Sequence, residues 1–320
     1  MNILENIPLN DKTSYKIGGA ARYYCEPESE EEIAALYKFA FERGLPVFIL
    51  GKGSNLIVSD EGLDALVVNL AAKFSKIEWD GLTAYVQSGF GLDELAALAA
   101  DKGYGGMEEL SGIPGTVGGA VVMNAGAFNT EVSHTLRSVR VLRASTLLTE
   151  EIPASELAFG YRRSAVKDSG DLVLSAVFDF KTSPGTGLVR RQILERRAQK
   201  QPLDFPSCGS VFKRPPGNYA GTLIESCGLK GFTLGGAAVS TKHANFIVNT
   251  GNAKAEDVRG VIRHVQETVF KKTGVLLEPE VIFVGEFKEP LLWQHSACRQ
   301  GFLETERELD SLKRVRRSKR

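Results

Sequence analysis

A glycine-rich stretch from Ser111 to Gly126 constrains this chain more than any other segment. It reads SGIPGTVGGAVVMNAG, and its five glycines tolerate positive φ angles and let the main chain approach another surface closely. The apolar side chains between them need burial, and buried backbone amides must find hydrogen-bond partners. The stretch therefore predicts either a crossing of tight turns in the core or a cradle for a large ligand with phosphates or a planar polar ring.

Length and composition limit the possible functions. A chain of 320 residues is long for one compact core, so we expect two or three domains. The formal net charge is zero and 43% of the residues are hydrophobic, which indicates neither a nucleic-acid partner nor a membrane surface. No apolar run approaches the roughly 20 residues that span a bilayer, and the first residues lack the basic and apolar regions of a signal peptide. We therefore expect a cytoplasmic protein.

The cysteines and histidines do not point to a metal site. The four cysteines are widely separated and form no Cys-x-x-Cys pair, and the four histidines show no ligand spacing. Structural zinc, a disulfide framework and metal catalysis are therefore not expected.

Local signals predict a mixture of helices and strands. Ser29 and Glu32 form a capping box, and apolar residues follow at helical spacing up to Phe41, before a stop at Gly44. The stretch SPGTG over residues 183–187 is the strongest linker signal and predicts a domain boundary. The other predicted elements are strands over 47–50, 56–58, 66–68, 172–180 and 276–287 and helices over 92–101, 188–200 and 255–272.

A second glycine-rich loop, GKGSN over residues 51–55, is only superficially similar to a nucleotide-binding fingerprint. A Rossmann loop needs glycine at the sixth position and a following helix, but this chain has Leu56 and then a strand-like sequence. A Walker loop, G-x-x-x-x-G-K-[ST], is also absent. The remaining alternatives are a hairpin connection between two strands and a nest of backbone amides that binds an anion.

Seven motifs, in order along the chain, carry a family resemblance. They are YKIGG from Tyr15, GSN from Gly53, FGYR from Phe159, GSVFK from Gly209, GLKG from Gly228, HANF from His243 and LEPEV from Leu277. Together they resemble the UDP-N-acetylenolpyruvoylglucosamine reductases, flavoenzymes of peptidoglycan precursor synthesis, over roughly residues 10–288. The two glycine-rich loops, about 60 residues apart, also look like the FAD-binding domain of the p-cresol methylhydroxylase and vanillyl-alcohol oxidase type.

The resemblance implies an α+β fold with two domains. Residues 1–182 would form the FAD-binding domain, in two subdomains over about 1–70 and 71–182, and residues 188–288 a smaller C-terminal α+β substrate domain. Residues 289–320 would be a tail, and its end is predicted to be disordered because six of the last eight residues are Lys or Arg.

The reaction that the resemblance implies is the NADPH-dependent reduction of UDP-N-acetylglucosamine enolpyruvate to UDP-N-acetylmuramate. Hydride passes from NADPH to non-covalently bound FAD and from flavin N5 to C3 of the enol ether, and C2 then receives a proton. The implied catalytic residues are Arg162 for the carboxylate of the intermediate, Ser210 as the proton donor and Glu280 as an aid to Arg162. From the residues alone, each has a structural alternative: a surface ion pair, a turn hydroxyl and a strand-edge carboxylate, respectively.

Two neighbouring residues compete for these roles. Arg163 is as basic as Arg162, and only the family motif favours Arg162. Pro279 holds Glu278 in an extended conformation, so Glu278 and Glu280 should point to opposite faces and at most one of them can lie in the site.

The resemblance also implies the binding residues. Backbone amides of both loops would hold the FAD, with side-chain help from Ser54 and Asn55. The predicted cofactor residues are Gly51, Lys52, Gly53, Ser54, Asn55, Leu56, Ser111, Gly112, Ile113, Pro114, Gly115, Thr116, Gly118, Gly119, Ala120 and Asn124. The UDP-sugar substrate would contact Lys213, Lys230 and His243, and Lys213 could also stabilise the developing Ser210 alkoxide.

The chain departs from other family members in two places. Arg214 follows Lys213 where many members have Asn, and it could contact the diphosphate or point outward. The segment between Phe180 and Ser210 leaves little room for the tyrosine-bearing insertion of a longer form of the enzyme. The sequence is thus similar to the shorter form, and a monomer is the default for the family.

A second enzymatic function stays open, that of another FAD-dependent oxidoreductase of the same fold, acting on an alcohol or a hydroxy acid. Many such oxidases attach FAD covalently through His or Cys, and neither residue lies between Asp60 and Val132. A binding protein without catalysis would not need Arg162, Ser210 and Glu280 together. The sequence therefore favours the reductase.

Overall fold

The computed structural model describes residues 2–288 and Leu291, which belong to two units. The first unit comprises the residues up to Ser14, Gly19–Ser54 and Gly62–Gln201, and the second comprises Tyr15–Gly18, Asn55–Glu61 and the residues from Pro202 onward. The tail predicted over 289–320 lies outside the described residues, apart from Leu291.

The helices begin and end largely where their sequence signals predict. In the first of them, Ser29 Oγ accepts the Glu32 N–H at 3.2 Å, and the Glu32 carboxylate accepts the Glu28 N–H at 2.9 Å. The α-helices of the described residues are α1 (Glu30–Glu42), α2 (Leu92–Asp101), α3 (Val117–Val122), α4 (Ala165–Ser169), α5 (Thr186–Lys200), α6 (Ala220–Ser226) and α7 (Ala255–Thr273). None of them combines the length and the apolar character that a bilayer crossing requires.

Short strands make up most of the remaining regular structure. The strands of the described residues are β1 (Ile3–Pro8), β2 (Ala20–Cys25), β3 (Val47–Leu50), β4 (Leu56–Val58), β5 (Leu63–Asn69), β6 (Ile77–Asp80), β7 (Thr83–Gln87), β8 (Tyr104–Gly105), β9 (Gly126–Ala127), β10 (Thr130–Glu131), β11 (Leu136–Leu142), β12 (Thr149–Pro153), β13 (Leu172–Asp179), β14 (Lys181–Thr182), β15 (Ser207–Ser210), β16 (Thr233–Leu234), β17 (Ala237–Val239), β18 (Phe246–Asn249) and β19 (Ile282–Val284). Helices and strands in both units give an α+β fold, as predicted.

The first unit contains two larger sheets, each with its own core. One has the order β1-β2-β5-β3, in which β1 is antiparallel to β2 and the other pairs are parallel. Helix α1 contributes Ile33 and Leu36 to the core of this sheet. The other sheet is antiparallel, with the order β12-β11-β13-β7-β6, and α2 and α3 contribute Leu95, Val117 and Val121 to its core.

The loop over residues 51–55 is not a hairpin. Strand β3, which precedes it, pairs in parallel with β5, whereas β4, which follows it, pairs in parallel with β19 near the far end of the sequence. The loop therefore leaves one sheet and enters another. This topology removes the hairpin alternative, because the flanking strands do not pair with each other.

Helix α5 belongs to the first unit, although the linker signal at residues 183–187 predicted that it starts the substrate domain. The helix packs on α2, where Thr186 Oγ1 donates to the Ala100 carbonyl at 2.8 Å and Arg190 pairs with Asp93 at 2.6 Å. The glycine-rich linker forms the turn from β14 into α5, with Gly185 at φ +82°. The boundary between the units along this part of the chain lies after Gln201.

The second unit is built on a four-stranded antiparallel sheet with the order β15-β18-β17-β16. Helix α7 contributes Val258, Val261, Ile262 and Val265 to the core of this unit, as its apolar spacing predicted. The final strand is shorter than predicted, because only Ile282–Val284 pair with β4. Just before it, Pro279 makes an isolated antiparallel bridge with Phe212.

Tyr15 is an anchor of the second unit. Its side chain is fully buried, its hydroxyl donates to the Ile247 carbonyl at 2.7 Å, and its own carbonyl accepts the Asn249 Nδ2 amide at 3.0 Å. Burial raises the pKa of Tyr15 well above its ordinary value. The tyrosine in the YKIGG motif therefore has a structural role.

We expect Tyr15→Phe to lower the free energy of unfolding by about 1–2 kcal/mol, because it leaves the buried Ile247 carbonyl without its partner. Urea unfolding would measure the loss. Tyr219→Phe is the matched control: it removes a hydroxyl from an exposed ring and should change stability by less than about 0.5 kcal/mol. Equal effects of the two variants would contradict the anchoring role.

Candidate active site

The two glycine-rich loops lie against each other in the first unit. A methyl group added at Gly51 would lie 2.6 Å from Thr116 Oγ1, well inside van der Waals contact, and one added at Gly115 would lie 3.2 Å from Ser54 Oγ. A methyl group added at Gly53, which has φ +58°, would lie 2.8 Å from the Lys12 carbonyl oxygen. The first loop thus needs glycine because backbone and side chains of other segments occupy the space.

Several backbone amides of these loops are available to a ligand. Among the described residues, none accepts a hydrogen bond from the N–H groups of Gly51, Lys52, Ser54, Gly115 and Thr116. In addition, the Ser111 hydroxyl is fully buried and has no partner within the described part of the chain. A group of neighbouring N–H donors without protein acceptors is suited to an anion.

The glycine-rich stretch itself is part core and part surface. Its second half forms helix α3, which was not predicted, and Thr116 caps it by accepting the Gly119 N–H at 3.3 Å. Gly118 lies so close to Ser88 that an added methyl group would approach the Ser88 Cβ to 2.7 Å. The expectation of an internal segment holds for the helix but not for Pro114, which is exposed.

A charged pair supports the start of this stretch. Asp93 accepts the Gly112 N–H at 2.7 Å and pairs with Arg190 at 2.6 Å. Burial alone would raise the pKa of Asp93, but the hydrogen bonds from Arg190 and Gly112 outweigh it, so the pKa is lowered and the carboxylate stays charged at neutral pH. An added methyl group at Gly112 would also approach Arg197 Cδ to 2.8 Å. Helix α5 thus holds one end of the glycine-rich stretch.

Arg162 occupies a two-residue turn in the first unit. Gly160 and Arg163 exchange both backbone hydrogen bonds at 3.1 Å, and Arg162 between them has φ +58°, which is uncommon for a long side chain. Its Nη2 donates to the Gly126 carbonyl at 3.3 Å, and its guanidinium lies 4.9 Å from the centre of the Tyr161 ring. Arg162 is therefore tied to the end of the glycine-rich stretch.

The neighbouring arginine has a different environment. Arg163 is exposed and pairs with the Asp168 carboxylate at 3.0 Å, whereas Arg162 is half-buried. The surface ion pair that was an alternative for Arg162 is thus made by Arg163.

Ser210 and Glu280 come together in the second unit, whereas Arg162 belongs to the first. Ser210 ends β15 opposite Phe246, beyond a bulge, and the preceding Gly209 has φ +72°. The Val211 carbonyl accepts the Glu280 N–H at 2.7 Å, so the serine and the glutamate lie on neighbouring, bonded segments. The LEPEV and GSVFK motifs therefore lie side by side in the second unit.

The predicted substrate-binding residues also lie in the second unit. Lys213 pairs with Glu278 at 2.5 Å, and Lys230 pairs with Glu225 at 2.6 Å. The Glu278 carboxylate is thus held by Lys213, and the expectation that Glu280 is the one that lies in the site stays a prediction.

His243 is half-buried next to these groups. Burial lowers its pKa, and the nearby Lys230 charge lowers it further, so the imidazole is neutral at neutral pH. Its Nδ1 accepts the Asn245 N–H at 3.3 Å. A neutral ring in this position can exchange hydrogen bonds with a base more readily than it can neutralise a phosphate.

Two predicted cofactor residues have their side chains engaged with protein. Asn55 Nδ2 donates to the Glu280 carbonyl at 3.1 Å, within the second unit. Asn124 is fully buried, and both of its polar side-chain atoms have partners in the first unit. These contacts favour structural roles for the two side chains over direct contact with a cofactor.

The fold and the loops define a class of protein first. A strand-loop-strand cradle of free amides, in place of a Rossmann helix, is a site for a large anionic cofactor, and the family model described as an FAD binding domain matches residues 21–149. A second family model, described as the C-terminal domain of UDP-N-acetylenolpyruvoylglucosamine reductase, matches residues 201–284. This protein therefore combines a flavin-binding domain with a reductase domain.

Individual relatives narrow the class to one family. The UDP-N-acetylenolpyruvoylglucosamine reductase of Caldicellulosiruptor saccharolyticus is 43% identical over 296 residues, 91% of this chain and 94% of that protein. The one from Streptococcus pneumoniae strain JJA is 43% identical over 298 residues, 90% of this chain and 98% of that protein. The crystal structure of the Thermus caldophilus enzyme, 36% identical, aligns with a TM-score of 0.78 over 89% of this chain and 100% of its own. The chain belongs to the UDP-N-acetylenolpyruvoylglucosamine reductase family, which confirms the resemblance drawn from its motifs.

The residues of the first unit fit an FAD. The donor set is made of neutral backbone N–H groups from two loops, and it suits a pyrophosphate, which offers oxygens and negative charge but needs close approach to the main chain. Gly51 and Gly53 themselves carry no side chain, so their backbone can approach such a ligand closely.

Sequence reasoning missed the residues that support the loop. Asp93 lies in the first turn of α2, where acidic residues are common for their favourable interaction with the helix dipole, so its contact with Gly112 had no distinctive signal. The linker signal placed Arg190 in the other domain, so nothing in the sequence indicated that it pairs with Asp93.

We expect Asp93→Asn to weaken FAD binding by roughly tenfold, because the amide oxygen accepts the bonds from Gly112 and Arg190 without the negative charge that strengthens them. Fluorescence titration of the apoprotein with FAD would measure the dissociation constant. The folded state lowers the pKa of Asp93, so the ionised carboxylate stabilises the folded protein above pH 3.8, the ordinary pKa of an aspartate. This stabilisation should be lost as the pH falls below that value. Asp101→Asn, an exposed carboxylate at the other end of the same helix, is the control and should leave the affinity unchanged.

Proposed function

We propose that this chain reduces UDP-N-acetylglucosamine enolpyruvate to UDP-N-acetylmuramate in peptidoglycan precursor synthesis, with NADPH as the electron donor and FAD as the carrier. The observation that carries the proposal is the combination, on one chain, of the FAD-binding match over residues 21–149 and the reductase C-terminal match over residues 201–284. An FAD oxidase of the same fold would share only the first match, so the alcohol or hydroxy-acid alternative is not favoured.

The chemistry divides between the cofactor and the protein. When bound, FAD supplies the hydride, received from NADPH, that reduces C3 of the enol ether. The residues of the chain then have three tasks: to bind the substrate, to stabilise the negative charge that develops on its carboxylate, and to deliver a proton to C2.

Arg162 performs the second task in this proposal. A guanidinium is permanently charged and can bind a carboxylate through two parallel hydrogen bonds. Its position in a tight turn, with φ +58° and a bond to the Gly126 carbonyl, restricts the directions that the side chain can take. Restricted motion before the reaction is useful, because the stabilising charge need not reorganise as the negative charge develops.

Ser210 donates the proton to C2, and Glu280 assists with the charge. A serine hydroxyl is a weak acid, so it must be placed accurately. The backbone next to Ser210 is fixed from two sides, since the Val211 N–H donates to Asn245 at 2.8 Å and the Val211 carbonyl accepts from Glu280 at 2.7 Å. The bulge at Gly209 then turns the serine out of the regular strand pattern.

The UDP part of the substrate binds to the second unit through Lys213, Lys230 and His243. The two lysines carry positive charge for the diphosphate, although each shares it with a glutamate partner. His243, which is neutral, is better suited to the uracil. Arg214 lies over the exposed Tyr219 ring at 4.2 Å, which is compatible with either of the two directions left open for it.

We further propose that the protein works as a monomer in the cytoplasm. Each catalytic task is assigned to residues of a single chain, and the substrate and cofactors are small soluble molecules. The neutral net charge gives no reason to expect a polyanionic partner.

We expect the purified protein to bind FAD and to oxidise NADPH rapidly only when UDP-N-acetylglucosamine enolpyruvate is present. The absorbance of the bound flavin and the loss of NADPH absorbance would be followed together. A protein that binds no added FAD, or one whose NADPH oxidation does not respond to the enol ether, would refute the proposed function.

Ser210→Ala should leave the reduction of FAD by NADPH within about twofold and slow the reduction of the enol ether by at least ~100-fold, as expected for loss of a positioned acid. Stopped-flow measurement of the two half-reactions separates the effects. Ser207→Ala, at the start of the same strand, is the matched control. If Ser210→Ala slowed both half-reactions equally, Ser210 would be structural rather than the proton donor.

A further inference from the structure

Three side-chain bonds join the end of the glycine-rich stretch to the segment that carries Arg162. Ser164 Oγ donates to the Val122 carbonyl at 2.8 Å, Asn124 Nδ2 donates to the Gly160 carbonyl at 3.2 Å, and Arg162 Nη2 donates to the Gly126 carbonyl at 3.3 Å. All three lie within the first unit. Three hydrogen bonds therefore connect the segments 122–126 and 160–164.

Asn124 is the most heavily used residue of this connection. Its side chain is fully buried, and its Nδ2 donates to Glu131 Oε2 at 2.7 Å as well as to Gly160. Its Oδ1 accepts the Ser133 N–H at 3.2 Å. The two N–H donors and the carbonyl oxygen of the amide all have partners, so the side chain has a single orientation in which every bond is made.

The backbone is strained at two of the three residues that make these bonds, one in each segment. Asn124 has φ +42° and Arg162 has φ +58°, and residues other than glycine keep such angles only when their surroundings enforce them. Asparagine tolerates this region better than most residues, but a long side chain such as that of arginine does not. The turn over 160–163 closes on itself through two backbone bonds and is held from outside through the Gly160 carbonyl.

We propose that Asn124 is a positioning residue for Arg162: by binding the Gly160 carbonyl it fixes the turn that aims the guanidinium. The inference rests on the proposed function of Arg162 and replaces the predicted contact of Asn124 with the cofactor. Asn124 makes no contact with the reacting atoms in this account, and its effect on the reaction passes through the arginine alone.

The position of Arg162 should affect only one half of the reaction. The guanidinium binds the carboxylate of the enol ether, which takes part in the second half-reaction, whereas reduction of FAD by NADPH involves no such group. A misplacement of about 1 Å can cost up to ~100-fold in rate, so losing the Asn124 bond should be visible in the kinetics.

The variant Asn124→Gly removes the side chain and keeps a residue that accepts φ +42° without strain. We expect it to slow the reduction of the enol ether by roughly 10- to 100-fold and to leave the reduction of FAD by NADPH within about twofold. In a variant that also carries Arg162→Ala, the enol ether should react no more slowly than with Arg162→Ala alone, because the residue through which Asn124 acts is already absent.

A matched control is available in the same unit. Asn69 is also buried and uses its side chain in the same way, donating to the Tyr24 hydroxyl at 2.7 Å and accepting the Ala71 N–H at 3.0 Å. Asn69→Ala should lower the thermal midpoint without a selective effect on the second half-reaction. If Asn124→Gly does not fold, Asn124→Asp keeps the shape and the bond from Ser133 but loses the donor to Gly160 and to Glu131, and the same selective loss is expected; combining it with Glu131→Gln removes the resulting contact between two carboxyl groups.

The outcomes separate the inference from the proposed function. If Arg162→Ala leaves the second half-reaction intact, the proposed role of Arg162 is wrong. If Arg162→Ala slows that step but Asn124→Gly slows both half-reactions equally, or the two effects multiply in the double variant, then Asn124 is not a positioning residue for Arg162. A selective loss for Asn124→Gly that vanishes in the Arg162→Ala background supports the inference.

Discussion

The packing of one glycine-rich loop directly on the other is the constraint on which the rest of the proposed site depends. At Gly51 there is no space for a side chain, because the Thr116 hydroxyl already occupies it, and at Gly53 the Lys12 carbonyl has the same effect. The backbone amides of two distant segments are thereby brought together, with the short side chains of Thr116 and Ser54 packed between them. Such an arrangement can bind a pyrophosphate without the long helix on which Rossmann folds depend.

Support for these loops comes from elements outside them. Asp93 and Arg190 hold the stretch at Gly112, while the bonds of Asn124 and Arg162 hold its other end. The same stretch therefore serves the cofactor and the arginine that is proposed to bind the substrate carboxylate. The two supports act at opposite ends: the Asp93 pair holds Gly112, and Asn124 holds the turn of Arg162, while helix α3 keeps the part between them in shape.

Local signals predicted local structure well. The capping box at Ser29, the stop at Gly44 and the apolar spacing of the helix over 255–272 all correspond to helices with nearly the predicted bounds. The failures concern pairing over long distances. For the loop over 51–55 a hairpin stayed open as an alternative, because nothing in the nearby sequence reveals that the next strand pairs with residues 282–284.

Something similar holds for the candidate site. The family motifs indicated Arg162, Ser210 and Glu280, and the structure adds what no motif contains: the turn at φ +58°, the ion pair that occupies Arg163, and the bond between the segments of Ser210 and Glu280. The misplaced domain boundary has a physical reason too. A Pro/Gly-rich turn occurs both between domains and before a helix that folds back on its own domain. The turn before α5 is of the second kind, because α5 packs on α2.

The second unit is assembled from separate parts of the chain, which affects when it can fold during synthesis. Two of its parts, Tyr15–Gly18 and Asn55–Glu61, lie within sequence that otherwise belongs to the first unit. Their partners are made much later, because Tyr15 binds the Ile247 carbonyl and β4 pairs with Ile282–Val284. A ribosome builds the chain from its N-terminus, so a fully buried tyrosine and one strand must wait for more than 200 further residues before their core can close. A fragment beginning at Pro202 would lack both, which means that this unit is encoded discontinuously and cannot be separated from the first by a single cut in the gene.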